Sequence, residues 1–462
     1  MKEEIRNQSK NEDFQTRRDF LQTAAAASAG LIFSPMISAG QESAEKVDDI
    51  NVAVIGVGEQ GQTLINACRN IPGIHFKAIC DIWADHNRKR TARVLGFYDH
   101  IVNQYEDYKK MLSDEKTIDA VIIATPDFCH AEQAVACLEA GLHVYCEKEM
   151  SNTLEGARQM VQAAKQTGKL LQIGHQRRSN PKYIHCYEKL IKEAKLLGQI
   201  TAVNGQWNRT MIKSLGWAAE VTIPQAVLSK YGYKSMEQFR NWRWYKGLGG
   251  GPIVDLGSHQ IDVYNWFLES FPKNVFASGR TNYYDKKTHE WYDTVMAVYE
   301  YDTAHGAVTA FYQTINMNSR AGYYEAFLGN EGMLNISEAA SPWNGIYREK
   351  WVSADKWEPW CKAGCIKEIE VEEEEETEES NQDEMSIPVH LTLPAPQYEI
   401  LFTMDKPIHQ PHLENFFDAI RGKAKLNCPA ETGYETAVTV LKVNEAIEAG
   451  RRLEFKPEDF IV

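Results

Sequence analysis

The chain has 462 residues, enough for about three domains at roughly 150 residues each. Its 43% hydrophobic and 25% charged residues are ordinary globular composition, which excludes a wholly disordered, collagenous or low-complexity chain. No run of about 18 apolar residues occurs, which excludes a polytopic membrane protein. The net charge of -14 is concentrated: between Lys367 and Glu384 eleven acids face one lysine and supply -10, leaving -4 for the rest. The body therefore offers no basic footprint for nucleic acid.

The first 40 residues read as an address. Thr16-Arg17-Arg18-Asp19-Phe20-Leu21-Gln22 precedes a mild apolar stretch over 23–33, then Pro35 and small residues at 38–40. Paired arginines before Phe-Leu and an Ala-rich stretch match a twin-arginine signal, and the stretch is too short to span a membrane. The expectation is export, already folded, through the twin-arginine machinery to the periplasm or beyond.

Residues 51–55 read as a buried strand running into Gly56-Val57-Gly58-Glu59-Gln60-Gly61. A helix over 62–70 and a strand over 76–80 follow, and the strand ends at Asp81, twenty residues beyond Gly61. Glycines here permit a tight turn and close approach of a pyrophosphate to a helix N-terminus, so Gly56, Gly58, Gln60 and Gly61 are candidate cofactor contacts. A carboxylate at Asp81 suits the ribose hydroxyls of NAD and repels the 2′-phosphate of NADP. Arg88 and Lys89 downstream soften that preference.

The alternation continues with strands over 119–124, 142–146 and 170–174 and helices over 131–140 and 153–167. This predicts a doubly wound parallel sheet over 48–174, with ligands at the strands' C-terminal ends, where Thr125-Pro126 and Glu147-Lys148 lie. Residues 175–456 change character. Strands rich in aromatic and β-branched residues at 200–207, 274–282, 294–301, 307–314 and 323–328 predict an open antiparallel sheet. Helices over 252–268, 412–421 and 431–449 accompany it. The acidic insertion at 367–386 reads as a solvated loop, since continuous glutamates do not wrap a calcium ion. Nine cysteines without a CxxC pair give no zinc spacing, and no metal site is expected. Most read as small buried hydrophobes; Cys361 and Cys365 are close enough to bridge in an oxidising compartment.

From about residue 50 to 454 the chain resembles the glucose–fructose oxidoreductase and inositol dehydrogenase family (Gfo/Idh/MocA). The residues that carry the resemblance come in order. They are the glycine turn, Ala124-Thr125-Pro126 with His130, Glu147-Lys148, Asp255 with Gly257, His259 and Asp262, and a C-terminal block of His412, Glu414, Asn415, Phe416, Asp418, Ala419 and Ile420. The resemblance implies a Rossmann domain beside an open antiparallel sheet, a nicotinamide cofactor, sugar or cyclitol substrates, and homo-oligomers built through the sheet's outer face. It places Thr125, Pro126, His130, Glu147 and Lys148 at the cofactor and makes Asp255 and His259 an acid–base unit. Where the family reads Glu-Lys-Pro, this chain has Glu149 and then Met150, which removes a rigid turn and sets a further acid beside Lys148.

Residue chemistry points the same way. Asp255, His259 and Asp262 stand at i, i+4 and i+7, one face of a regular helix. Oxidising CH–OH needs a base for the hydroxyl proton, which an imidazole supplies near neutral pH. A neighbouring carboxylate would orient it, and a lysine would stabilise the developing oxyanion.

Arg177 and Tyr183, just after the last parallel strand, suit a polyhydroxylated ligand or, equally, an interdomain ion pair. The stretch from Phe239 to Tyr245 reads as a sugar-stacking platform or as aromatic packing beneath Gly249-Gly250-Gly251. Three functions remain in view: an exported NAD-dependent sugar or glycoside oxidoreductase with tightly held cofactor, a redox-neutral NAD-dependent glycosidase, and a binding protein in which NAD is structural.

Overall fold

The computed structural model describes residues 48–339, 344–370 and 395–462. The expected leader and most of the acidic insertion lie outside the described residues. Ile50–Ile55 (β1) is almost wholly buried, as an apolar run at the centre of a parallel sheet must be. After it come Glu59–Cys68 (α1), Ile74–Cys80 (β2), Lys89–Gly96 (α2), Asn103–Tyr105 (β3), Tyr108–Asp114 (α3), Ala120–Ile123 (β4), Asp127–Glu139 (α4), His143–Cys146 (β5), Leu154–Thr167 (α5) and Leu171–Ile173 (β6). The six strands run in the order β3-β2-β1-β4-β5-β6, every pair parallel. This is the doubly wound sheet expected from the alternation. β3 is the strand that periodicity misses, because Asn-Gln-Tyr on an exposed edge has no apolar face to display.

Pro181–His185 (α6) leads to Ile200–Asn208 (β7). The chain then leaves the sheet through Gln225–Lys230 (α7), Met236–Arg240 (α8), Gly251–Asp255 (α9) and Gly257–Leu268 (α10). It returns as Pro272–Arg280 (β8), Thr294–Thr303 (β9), Gly306–Ile315 (β10), Tyr323–Gly329 (β11), Gly332–Ile336 (β12) and Gly345–Arg348 (β13). Glu358–Lys362 (α11), Ile366–Glu368 (β14), Gln397–Ile400 (β15), Gln410–Ile420 (α12), Ala430–Ala449 (α13) and Leu453–Glu454 (β16) complete the described elements. The second sheet has ten strands, in the order β14-β15-β13-β12-β11-β7-β10-β9-β8-β16. It is antiparallel except where β10 lies parallel to β7. The excursion between β7 and β8 supplies the long connection that a parallel neighbour requires.

The sheet's inner face packs on α10 and α13, and α13 also touches α5 and β6 of the first layer. The excursion is tied down by a core of its own: Ile223, Leu228, Tyr233, Met236, Trp244, Tyr245 and Leu248 bury together with Trp83 from the loop after β2. The aromatic stretch ending at Tyr245 is thus mainly packing. Gly251 is required where it stands, because φ is +76° and a Cβ would lie 2.7 Å from Trp291.

Buried ion pairs tie the turn after β6 to the second sheet and to α10. Arg177, 1% exposed, pairs with Glu325 of β11, which is wholly buried. The Tyr183 hydroxyl donates to the other Glu325 oxygen at 2.8 Å. Arg177 and Tyr183, expected as possible substrate contacts, are therefore committed inside the protein, and the ion-pairing alternative describes them. Arg178 Nε donates to both Asp262 oxygens at 2.9 Å, and Thr436 donates to the same carboxylate at 2.8 Å. Asp262 is therefore a structural anchor.

Among the described residues, removing Glu325 leaves buried Arg177 with only the more distant Glu338 carboxylate, 3.6 Å from its Nε. Glu325→Gln should lower the unfolding free energy by about 3–5 kcal/mol. The drop is read as a lower urea midpoint at unchanged m; a variant as stable as the parent would contradict the anchoring role.

Candidate active site

The glycine turn closes onto β4. Gly56 has φ +85°, and a Cβ there would stand 2.6 Å from the Ala124 carbonyl oxygen, so only glycine fits. A Cβ on Gly58 would meet only Asn87 Nδ2, at 3.7 Å, so that backbone faces open space. Gly58 precedes α1 without a side-chain cap, leaving the helix's first amides available to an anion. Asp81 is pinned beside the turn: Val57 N and Asn87 Nδ2 donate to one oxygen at 3.0 Å, and Trp83 N to the other at 2.8 Å. An uncapped helix start, an open glycine and a fixed carboxylate at the end of β2 form a cradle that fits a dinucleotide.

The turn is wired to the next strand end. Gln60 Nε2 donates to Glu147 Oε1 at 3.0 Å, and Lys148 N donates to Glu147 Oε2 at 3.2 Å. His130 is wholly buried, with Nε2 2.7 Å from the Thr125 oxygen and Nδ1 2.8 Å from the Glu149 oxygen. It joins two strand-end loops and presents no face to a ligand. This corrects its expected place among the cofactor contacts. Thr125 spends its hydroxyl on Gln133 at 2.6 Å, while Pro126 precedes α4.

Lys148 lies two residues past β5, Asp255 ends α9 and His259 lies in α10. Lys148 Nζ donates to the Asp255 backbone oxygen and lies 3.4 Å from its carboxylate. Arg243 Nε donates to that same carboxylate oxygen at 3.1 Å. Burial opposes the Asp255 charge, but Arg243, Lys148 and Arg209 outweigh it and hold the carboxyl well below its usual range. Asp255 does not orient His259, contrary to the helical-face expectation. The helix is interrupted at Leu256, and the carboxylate is engaged across the site by cations.

His259 instead lies near Trp207, with ring centroids 5.8 Å apart, and near His175, at 6.3 Å. Its Nδ1 is buried without a partner. Burial, followed by the Lys148 charge, keeps the imidazole neutral, far below its ordinary pKa. Neither ring nitrogen of buried His175 has a partner among the described residues.

Three contributors escaped the sequence reading: Arg243, Arg209 and Asp127. Asp127 opens α4 beside the cluster, where burial and the Asp255 charge push its carboxyl up to about 7. Its position directly after Thr125-Pro126 at a strand end was the available signal. Arg243 was hidden in an aromatic run, and Arg209 had only its place just past a strand. Among the described residues no group of three or more His, Cys, Asp or Glu stands close enough to hold a metal ion.

Glu149, the residue after Lys148, adds no charge there at neutral pH. It is wholly buried, Oε1 accepts from Met150 N at 2.8 Å, and Oε2 has no partner. Burial raises its carboxyl to about 8. The folded chain thus keeps a proton that the unfolded chain has lost, and stability falls as pH rises between the ordinary carboxylate range and about 8. Glu149→Gln removes that penalty. Its Tm relative to the parent should rise by several degrees from about pH 5 to about pH 8, measured calorimetrically; an equal offset at both would contradict the protonated burial.

Comparison with known proteins accords with this geometry. The model for "Oxidoreductase family, NAD-binding Rossmann fold" matches residues 50–175, and that for the "GFO/IDH/MocA C-terminal domain" matches 189–335. Inositol 2-dehydrogenase of Salmonella typhimurium is 27% identical over 49% of this chain and 56% of its own length. A glycosyl hydrolase family 109 protein of Shewanella baltica is 34% identical over 33% of this chain and 38% of its own. The chain thus matches about half of the first relative's length and less of the second's. The aldose-aldose oxidoreductase of Caulobacter crescentus, solved with glycerol, superposes with TM-score 0.63 at 17% identity, over 88% of this chain and all of that one. That superposition establishes a common fold.

Proposed function

The chain belongs to the Gfo/Idh/MocA oxidoreductase family, and on that premise we propose that it oxidises a ring CH–OH of a sugar or glycoside, and reduces the ketone in return, with NAD. The observation that carries this reading is the meeting of Lys148, Asp255 and neutral His259 one residue beyond Glu147, which is hydrogen-bonded to the glycine turn. When bound in the cradle, NAD supplies the hydride acceptor. Asp81 favours NAD over NADP by repelling a 2′-phosphate.

The chain's own groups divide the remaining work. His259 accepts the hydroxyl proton at Nε2, since its Nδ1 is buried. The Lys148 ammonium, kept in place by Asp255, stabilises negative charge as it develops on the oxygen. Trp207, beside His259, supplies an apolar face for a ring.

The Arg17-Arg18 leader supports export through the twin-arginine route. An exported chain meets no soluble NAD pool, so it would hold one NAD through successive turnovers, reduced by one substrate and reoxidised by a second carbonyl compound. Exposed Phe276 and Met296 on the outer face of the second sheet support self-association there.

A second reading, redox-neutral glycoside cleavage by transient oxidation and elimination, is favoured by one feature. His175, buried beside His259 with both ring nitrogens unpartnered, is a second imidazole able to take up a proton passed on from His259 when the hydrogen next to a newly formed ketone is removed.

Purified enzyme incubated with a panel of sugars and glycosides, followed by mass, tests both. Loss of two hydrogens is expected; free aglycone would favour elimination, and no turnover would leave a binding role. Lys148→Met should lower kcat by about 100-fold to 1,000-fold with the fold intact; unchanged turnover would remove Lys148 from the chemistry.

A further inference from the structure

Arg209 stands just past β7, two residues beyond Trp207, whose ring lies 5.8 Å from His259. The alternation of the strand gives both the same face. Its backbone is fixed by Arg209 N donating to the Ile315 oxygen at 2.9 Å. Its Nε donates to Asn316 Oδ1 at 2.6 Å. Asn316 is itself wholly buried and oriented, since its Nδ2 donates to the Asp293 oxygen at 3.0 Å and its own carbonyl accepts from the Tyr284 hydroxyl at 2.9 Å.

Tyr284 packs 5.0 Å from Trp244, the neighbour of Arg243. Arg243 uses its Nε on Asp255 and lies 4.4 Å over the Trp242 ring. Tyr284, which fixes Asn316 beneath Arg209, thus packs on the residue next to Arg243. Both guanidiniums are held through Nε, and among the described residues neither pair of terminal Nη groups has a hydrogen-bond partner.

Three cations, Lys148, Arg209 and Arg243, act on the Asp255 carboxylate, and Asp127 and Glu59 are further acids acting on Arg243. Like charges gathered in a partly desolvated site repel one another. An arrangement that fixes Nε and leaves the Nη edge open is suited to an incoming planar anion, which accepts two parallel N–H bonds.

We propose that the substrate carries a carboxylate, as a hexuronic acid or its glycoside does, and that the open edges of Arg209 and Arg243 receive it. The inference rests on the sugar-oxidoreductase reading above and adds the substrate's charge and the residues that select it. Arg209 is the specificity-determining residue, because Arg243 is also engaged with Asp255.

Calorimetric titration of the purified full chain with matched pairs tests it: glucuronate against glucose, galacturonate against galactose, mannuronate against mannose. At least one acid should bind about tenfold or more tighter than its neutral partner. Arg209→Gln should bring that acid to within about threefold of the neutral sugar, and Arg209→Lys, which keeps charge but loses the fork, should fall between. Equal affinities in every pair, or a preference that survives Arg209→Gln, would overturn the proposal. So would tighter binding of glucose 6-phosphate than of the acids. The binding readout is separate from turnover. An acid preference erased by Arg209→Gln in a protein that oxidises no sugar would sink the oxidoreductase reading and leave the carboxylate site standing.

Discussion

The Asp255 carboxylate sits between Lys148 and Arg243 where water has little access, its side chain 15% exposed and that of Lys148 12%. A carboxylate so placed stays ionised only because cations surround it, and removing one partner of a buried pair costs about 3–5 kcal/mol. The pair also fixes position. Lys148 follows Glu147 at the end of β5, and Glu147 holds Gln60 of the glycine turn. Arg243 arrives on the excursion whose aromatic core closes over Trp83, beside Asp81. One ion cluster therefore ties the dinucleotide cradle, the second sheet's helices and the excursion to a common point.

Charge management explains the surroundings. Glu149, next to Lys148, keeps its proton because it is buried, and leaves the Lys148–Asp255 balance undisturbed. His259 is neutral because burial and the nearby Lys148 charge both disfavour its cation, and a neutral imidazole is the form that can take a proton. The carboxylate–histidine dyad expected from helical spacing is replaced by a carboxylate–lysine pair with the imidazole standing free.

Much of the fold was legible because its signals are local. The apolar run into Gly56, the acid at Asp81, and the alternation through Ile173 each follow from what a buried parallel strand or a tight turn requires. The edge strand at Asn103 was illegible, since three polar residues carry no periodicity. The parallel pairing of β7 with β10 was illegible as well, because sheet order depends on contacts across more than 100 residues. In the site, Lys148, Asp255 and His259 were found by residue type and order, but their pairing was not, because the interruption at Leu256 breaks the i, i+4 rule. Arg177 and Tyr183 had ligand-like chemistry yet are buried against Glu325, a partner that no spacing reveals.

The reading of Lys148, Asp255 and His259 as machinery for hydride removal turns on whether hydrogen leaves a ring carbon for the cofactor. The deciding measurement is a single turnover of the NAD-containing enzyme with a sugar substrate deuterated at its carbinol positions one at a time, with the cofactor then recovered and analysed by mass and NMR. Deuterium from one ring position should appear at C4 of the reduced nicotinamide, with a slowed rate for that substrate alone. Ketone formation with no label in the cofactor, or reduced cofactor that never carries deuterium from any position, would contradict it.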